Sequence, residues 1–199
     1  MPRDYVSDAA LRPQPKRDGP DFWPTPDCLT TALVAHVLPS LPKAPIWEPA
    51  AGEGALVHAI EAAGYRVVAG DLSTGQDFFS SSPPAGCQSL ATNPPFNQLD
   101  QFLARALELI DSPNNSLTAV VFLLRWDALT AMVRTPLLRR AWRIHVCAWR
   151  PRWIADSTTS PRWSFCWATW RREHAGPPTM YWLERDKPAG QRWREDTLC

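Results

Sequence analysis

The sequence predicts an α/β protein with a twisted, mostly parallel sheet, helices on both faces and an antiparallel edge. Three observations predict it. Strand-like and helix-like segments alternate from Ile46 to Leu124, and a glycine-bearing turn, Gly52 to Gly54, falls where the first strand gives way to a helix. The third is Leu117 to Leu124, a near-continuous apolar run with β-branched residues, of the kind buried on both faces of a parallel sheet. Right-handed crossovers then bring the loops after the strands to one rim, where ligands bind.

The elements follow in order. Residues 1–20 read as a flexible tail, with Pro2, Pro13, Pro15 and Pro20 among charges, and one domain is expected over 21–199. Thr25 is placed to cap a helix with Pro26 at its first position, followed by the periodic run Leu29 to Leu38; Pro39 to Pro45 ends it. Ile46-Trp47-Glu48 is a short strand, Gly52 to Ala63 a loop running into a helix, and Arg66 to Gly70 a second strand. Cys87 to Thr92 is a third strand ending at Asn93, and Gln98 to Ile110 an amphipathic helix with Phe102, Leu103, Ala106, Leu107 and Ile110 on one face. After Leu124, Leu129 to Trp142 is a helix that Pro136 must kink. Three aromatic strands follow, Ile144 to Trp149, Ser164 to Trp170 and Thr179 to Leu183, with a turn-rich loop from Asp156 to Pro161.

Composition narrows the function classes. There is no run of about eighteen apolar residues, and Met1 to Pro20 has no apolar core of the secretory type. Five cysteines without a CxxC pair argue against a disulfide framework or zinc ribbon and for a cytoplasmic setting. Cys28 and Cys166 read as small buried hydrophobes. The four histidines, His36, His58, His145 and His174, are scattered without ligand spacing, so no metal is expected.

The formal charge of +1 hides a division: residues 1–120 carry −6 and residues 121–199 carry +7. Nine of the eleven tryptophans lie between Trp126 and Trp193, interleaved with arginine at Arg150-Pro151-Arg152-Trp153, Arg162-Trp163 and Trp170-Arg171-Arg172. Flat rings beside fixed cations suit bases and phosphates, so a nucleic acid is the expected partner, through Arg150, Arg152, Arg171 and Arg172. A solvated basic face with rings used in the core is the plainer alternative.

Two motifs carry chemistry. In Trp47-Glu48-Pro49-Ala50-Ala51-Gly52-Glu53-Gly54, glycines at a strand-to-helix turn let the backbone approach a ligand closely. The third glycine of a dinucleotide fingerprint is absent, Val57 standing there, as is the Lys-Ser/Thr of a phosphate loop. By itself such a turn is structural. Asp71 after the second strand is placed to accept from two ribose hydroxyls, and Asp77-Phe78 can take an amine proton and cover an adenine face. Together they describe a nucleoside site. The second motif, Asn93-Pro94-Pro95-Phe96, closes the third strand. Two prolines stiffen the loop, the Asn93 side-chain oxygen and the Pro94 carbonyl can accept both protons of one planar amine, and Phe96 offers a stacking face.

These residues resemble the motifs of class I S-adenosylmethionine-dependent methyltransferases, in particular the N6-adenine DNA methyltransferases of phages and prophages. Phe22-Trp23-Pro24-Thr25-Pro26 is similar to the family's aromatic-Tyr/Trp-Pro-Thr-Pro entry segment, and Glu48 to Gly54 to its first cofactor motif. The resemblance implies a Rossmann-like fold and S-adenosylmethionine as cofactor. It places the cofactor against Trp23, Thr25, Pro26, Glu48, Pro49, Ala50, Gly52, Gly54, Asp71, Leu72, Asp77 and Phe78. Asn93, Pro94, Pro95 and Phe96 become the catalytic tetrad acting on a flipped or single-stranded adenine. Methylation of adenine in RNA stays open, as does a glutamine amide of a translation release factor, which is also a planar NH2. A non-catalytic DNA-binding module on the same fold is the alternative of another class. A cytosine C5 enzyme is excluded by the absence of any Pro-Cys pair.

Overall fold

The computed structural model describes residues 23–153 and 162–184. The expected tail over 1–20, Phe22 and the loop from Asp156 to Pro161 lie outside the described residues.

Helix α1 (Asp27–Ala32) continues directly into a wide π turn, Leu33–Val37, and a tight 3-10 turn, Leu38–Ser40. Pro26 itself occupies the N-cap position and no side chain caps the helix, which corrects the expected cap at Thr25. There follow β1 (Ile46–Glu48), α2 (Ala55–Ala62), β2 (Val67–Ala69), β3 (Ser89–Thr92), α3 (Leu99–Asp111) and β4 (Ala119–Arg125). The expected kinked helix from Leu129 to Trp142 is instead broken into 3-10 turns at Trp126–Thr130 and Met132–Arg134 and a single helical turn, α4 (Thr135–Leu138). Pro136 falls in the first turn of α4, where its missing N–H costs nothing. Strands β5 (Arg143–Cys147), β6 (Phe165–Arg171) and β7 (Thr179–Leu183) complete the sheet.

The seven strands are ordered β2-β1-β3-β4-β6-β5-β7. From β2 to β4 every pairing is parallel. β6 runs antiparallel to both β4 and β5, and β7 lies parallel to β5 on the outside. The antiparallel strand is therefore interior and not outermost. The reason is composition: β6 is buried at every position from Phe165 to Trp170, and such a strand needs neighbours on both edges and cover on both faces. β7 is exposed at four of its five positions, which suits an edge.

Strand β4 divides the interior in two. Val120, Phe122 and Leu124 face one core with α3, through Phe102, Leu103, Ala106 and Ile110. Ala119, Val121 and Leu123 face the other, with Leu29 and Leu33 of the first helical segment and Leu56 and Ile60 of α2. Helices thus cover both faces, as the alternating pattern requires. Each fully buried Leu or Ile here contributes roughly 1.5–3 kcal/mol.

Candidate active site

The chain runs from β1 outward to β2 and then returns to the far side of β1 with β3. A crevice is expected where two parallel strands part in this way. Ile46 pairs with Ser89 and Trp47 with Leu90, so the carboxyl ends of β1 and β3 adjoin. Across that junction the Thr92 hydroxyl donates to Glu48 Oε1 at 2.7 Å. The glycine turn after β1 and the proline corner after β3 therefore open on one rim, the juxtaposition the chemistry needs.

Glu48 is fully buried. Its Oε1 also accepts from the Ala50 N–H at 2.9 Å, while Oε2 has no partner. Burial pushes its carboxyl up to about 8, against the opposing hydrogen bonds from Thr92 and Ala50. Gly52 and Gly54 adopt left-handed φ values of 52° and 85°. A Cβ on Gly54, which caps α2, would also meet the His58 ring at 3.1 Å. The Gly52 N–H donates to Asp71 Oδ2 at 2.9 Å, and Asp71 Oδ1 accepts from Ser73 N–H and hydroxyl at 2.8 and 2.6 Å. Desolvation would raise the Asp71 pKa, but these donors outweigh it and hold the carboxyl below its ordinary range. Asp71 thus ties the glycine turn to the end of β2. Beside it Leu72 is 74% exposed, an apolar side chain just beyond the carboxyl end of β2.

The Asp77-Phe78 pair divides differently from expectation. Asp77 Oδ1 accepts from the Phe79 N–H at 3.0 Å. Phe78 is buried, stacked on Phe102 at 4.8 Å and tilted against Trp47 at 5.5 Å. Its ring belongs to the core and cannot cover a ligand, so that role is corrected. The ring left at the surface is Phe79.

At the proline corner the Asn93 amide nitrogen donates to the Trp23 carbonyl at 3.2 Å and to the Thr25 hydroxyl at 3.0 Å. Its Oδ1 is buried without a partner. Pro94 is buried and Pro95 half-buried. Phe96, also half-buried, meets the edge of Trp153 at 5.7 Å and tilts against Phe165 at 6.2 Å. Trp153 in turn stands perpendicular to Trp23 at 6.3 Å. Thr92, Trp153 and the hold of Thr25 on Asn93 escape sequence reasoning. Only the Arg152-Trp153 juxtaposition hinted at one of them.

The four arginines separate by strand direction. Arg150 and Arg152 follow β5, whose carboxyl end shares the rim with Asn93; Arg150 is exposed and Arg152 half-buried. Arg171 ends the antiparallel β6 opposite Ala119, at the far rim. It stacks on Trp142 at 3.7 Å and donates to the Ser40 carbonyl. Arg172 donates to the carbonyls of Ile110, Ser112 and Asn115. Both are structural ties remote from the site, which corrects their expected role in nucleic-acid binding.

Among the described residues no group of three or more His, Cys, Asp or Glu is arranged to hold a metal ion, and no helix is long and apolar enough to cross a membrane. His145 is buried against Tyr181 at 5.0 Å, and burial, with the charge of Arg143, lowers its pKa to about 4. Cys166 is buried as expected, whereas Cys28 is only half-buried. An open depression of about 450 Å³ between the 82–85 loop and the end of α3 lies at the amino ends of the strands and contains none of these site residues.

No protein-family model matches the chain, and no curated protein matches it. Among solved structures it is similar to a dimethyladenosine transferase from Plasmodium falciparum, at 12% identity and a TM-score of 0.47, covering 75% of this chain and 62% of that one. It is also similar to a Pyrococcus horikoshii protein described as an RNA methyltransferase, at 14% identity and 0.46, covering 75% and 85%. A third is a Vibrio vulnificus protein described as the modification subunit of a type I restriction enzyme, at 14% and 0.46, covering 88% and 49%. Likenesses this remote bear on neither substrate nor chemistry, which rest on the residues of the site.

Proposed function

We propose that this chain is an S-adenosylmethionine-dependent methyltransferase acting on the exocyclic N6 amine of adenine in nucleic acid, DNA in the first instance. One observation carries the reading. The Asn93 nitrogen is tied down by Trp23 and Thr25, which turns its Oδ1, buried and without a partner, into a free acceptor beside the glycine crevice. A buried acceptor left unsatisfied costs roughly 1–3 kcal/mol, an expense that a donor group of the substrate would offset.

The crevice fits the cofactor. Glu48 Oε2 is a second buried polar atom without a partner, and the left-handed glycines expose bare backbone. Glu48, Gly52, Gly54, Asp71 and Leu72 would hold it, with Pro49, Ala50 and Asp77 on its flank and Trp23, Thr25 and Pro26 towards Asn93. When bound, S-adenosylmethionine supplies an electrophilic methyl group on a cationic sulfur. The protein's own contribution is positioning. Asn93 Oδ1 and the Pro94 carbonyl accept the two N–H bonds of the amine and fix its plane. That constraint directs the nitrogen lone pair out of the plane of the base, and the surplus proton of the methylated nitrogen leaves along the same acceptors to water. The half-buried Phe96 offers the base a ring on which to rest. Arg150 and Arg152 lie on the same rim, where phosphates flanking the target would pass.

The test is incubation with label-bearing cofactor and, separately, DNA, RNA and a glutamine-containing peptide. N6-methyladenine in the digested DNA is the expected product. Label found only in the peptide overturns the adenine reading, and a folded sample that gives no heat with S-adenosylmethionine overturns the enzyme reading.

A further inference from the structure

We propose that Arg143 and Arg171 form a phosphate-binding site at the amino end of β5, for inorganic phosphate or the phosphate group of a small monoester. The site is independent of the methyl-transfer reading and goes beyond it.

Arg143 is held by its faces alone. Its guanidinium carbon lies 3.9 Å from the centre of the Trp142 ring and 5.4 Å from that of Tyr181. Trp142 is anchored in turn: its backbone N–H donates to the Thr169 carbonyl at 2.7 Å, and its carbonyl accepts from the Thr179 N–H at 3.1 Å. Among the described residues the ion pairs join Arg105 to Glu108, Arg125 to Asp127, Arg134 to Asp100 and Arg140 to Asp111, so Arg143 has no carboxylate. Stacking engages the faces of a guanidinium plane and leaves open its N–H edges, the part that grips an oxyanion.

A second guanidinium stands beside it. Arg171 lies 3.7 Å from the centre of the same Trp142 ring and donates to the Ser40 carbonyl. Burial and the charge of Arg143 both push its pKa down, and no carboxylate acts in the opposite sense. Two like charges on one ring repel, and an anion shared between them removes that repulsion.

Register groups the remaining polar atoms. Thr169 stands opposite Arg143, and Trp167 opposite His145, in the antiparallel pairing of β5 with β6. Arg143, His145, Thr169 and Arg171 therefore share one face of the sheet. On it Thr169 Oγ1 and His145 Nδ1 are both buried without a partner, a state that calls for a ligand or ordered water. Besides burial, the charges of Arg143 and of His36, on the π turn over this face, act on His145. Arg143 and Arg171 are half-buried and Tyr181 is 39% exposed, so the cluster opens to solvent.

Charge names the occupant. Two adjacent guanidinium groups match a doubly charged tetrahedral oxyanion, whereas a carboxylate would neutralise only one of them. β5 lies three strands across the sheet from β3, roughly 14 Å at the usual strand spacing, which sets the cluster apart from Asn93.

The full chain is titrated calorimetrically with inorganic phosphate, ethyl phosphate and acetate at constant ionic strength. One saturable site is expected for phosphate, with acetate about ten-fold weaker. R143Q should weaken phosphate binding about ten-fold, while R66Q, at the opposite edge of the sheet, leaves it unchanged. Ethyl phosphate bound as well as phosphate marks a monoester site, and phosphate alone a site for the free anion; both support the proposal. No saturable site, acetate bound as tightly as phosphate, or an unchanged affinity in R143Q overturns it. In the unaltered protein, phosphate should shift the ring resonances of His145 and not those of His58, which lies against Gly54. That measurement decides even where R143Q fails to fold, and unmoved His145 resonances overturn the site. R143Q should also leave the salt dependence of DNA binding unchanged; a shallower slope would give these cations to the nucleic-acid backbone and overturn a separate phosphate site.

Discussion

Replacing Thr25 by valine removes one hydroxyl and almost no volume from a position that is 6% exposed. In the structure that hydroxyl accepts from Asn93 Nδ2 at 3.0 Å, and the only other acceptor for that nitrogen among the described residues is the Trp23 carbonyl at 3.2 Å. With one restraint gone, the Asn93 amide can rotate away from the orientation that turns Oδ1 to the substrate. A neutral hydrogen bond is worth roughly 0.5–1.5 kcal/mol net, and if the loss falls wholly on the transition state the rate drops about two- to thirteen-fold. The assay is methyl transfer at saturating cofactor and substrate, with cofactor affinity measured separately by calorimetry. T25V should lower kcat within that range and leave cofactor affinity nearly unchanged, and T25S, which keeps the hydroxyl, should restore kcat. An unchanged kcat with weakened cofactor binding would falsify the reasoning, since Thr25 would then act on the cofactor and not through Asn93.

Three further outcomes follow from the site. Asn93→Ala should lower transfer by roughly 10²–10³-fold, as for loss of a preorganised polar group, with cofactor affinity nearly intact; loss of both together would make Asn93 structural. Glu48, raised to about 8 in the fold from 4.5, takes up a proton on folding between those pH values, so stability is full below 4.5, declines as pH rises, and levels off above about 8. Gln mimics the protonated acid, so the stability of E48Q relative to the unaltered protein should grow by a few kcal/mol between pH 5 and pH 9 in urea unfolding, and a constant difference would contradict the shift. Neutralising Arg150 and Arg152 should weaken DNA binding and shallow its salt dependence by up to about two phosphates' worth. Neutralising Arg171 and Arg172 should leave that slope alone and lower the Tm instead, because Arg172 alone satisfies three backbone carbonyls.

The elements and the chemical motifs were legible along the chain. Alternating apolar runs, glycines at a strand end and prolines after another are local signals, and β4, α3 and the two loops stand within two residues of where those signals put them. The breakdown of 129–142 was less legible, since Pro136 announces a disruption without saying that 3-10 turns replace the helix.

Which face a residue meets, and which distant residue meets it, depends on contacts between segments far apart in the chain. Phe78 and Phe79 are identical in type, and only the packing of Trp47 and Phe102 decides which ring is core. Arg150 and Arg171 look alike in a basic stretch, yet an antiparallel β6 carries Arg171 to the opposite rim. The orientation of Asn93 is set by Thr25, 68 residues earlier. Residue chemistry alone thus determined that an acceptor corner and a glycine crevice exist in this protein. Tertiary structure decided that they adjoin on one rim, because only strand order brings the ends of β1 and β3 side by side.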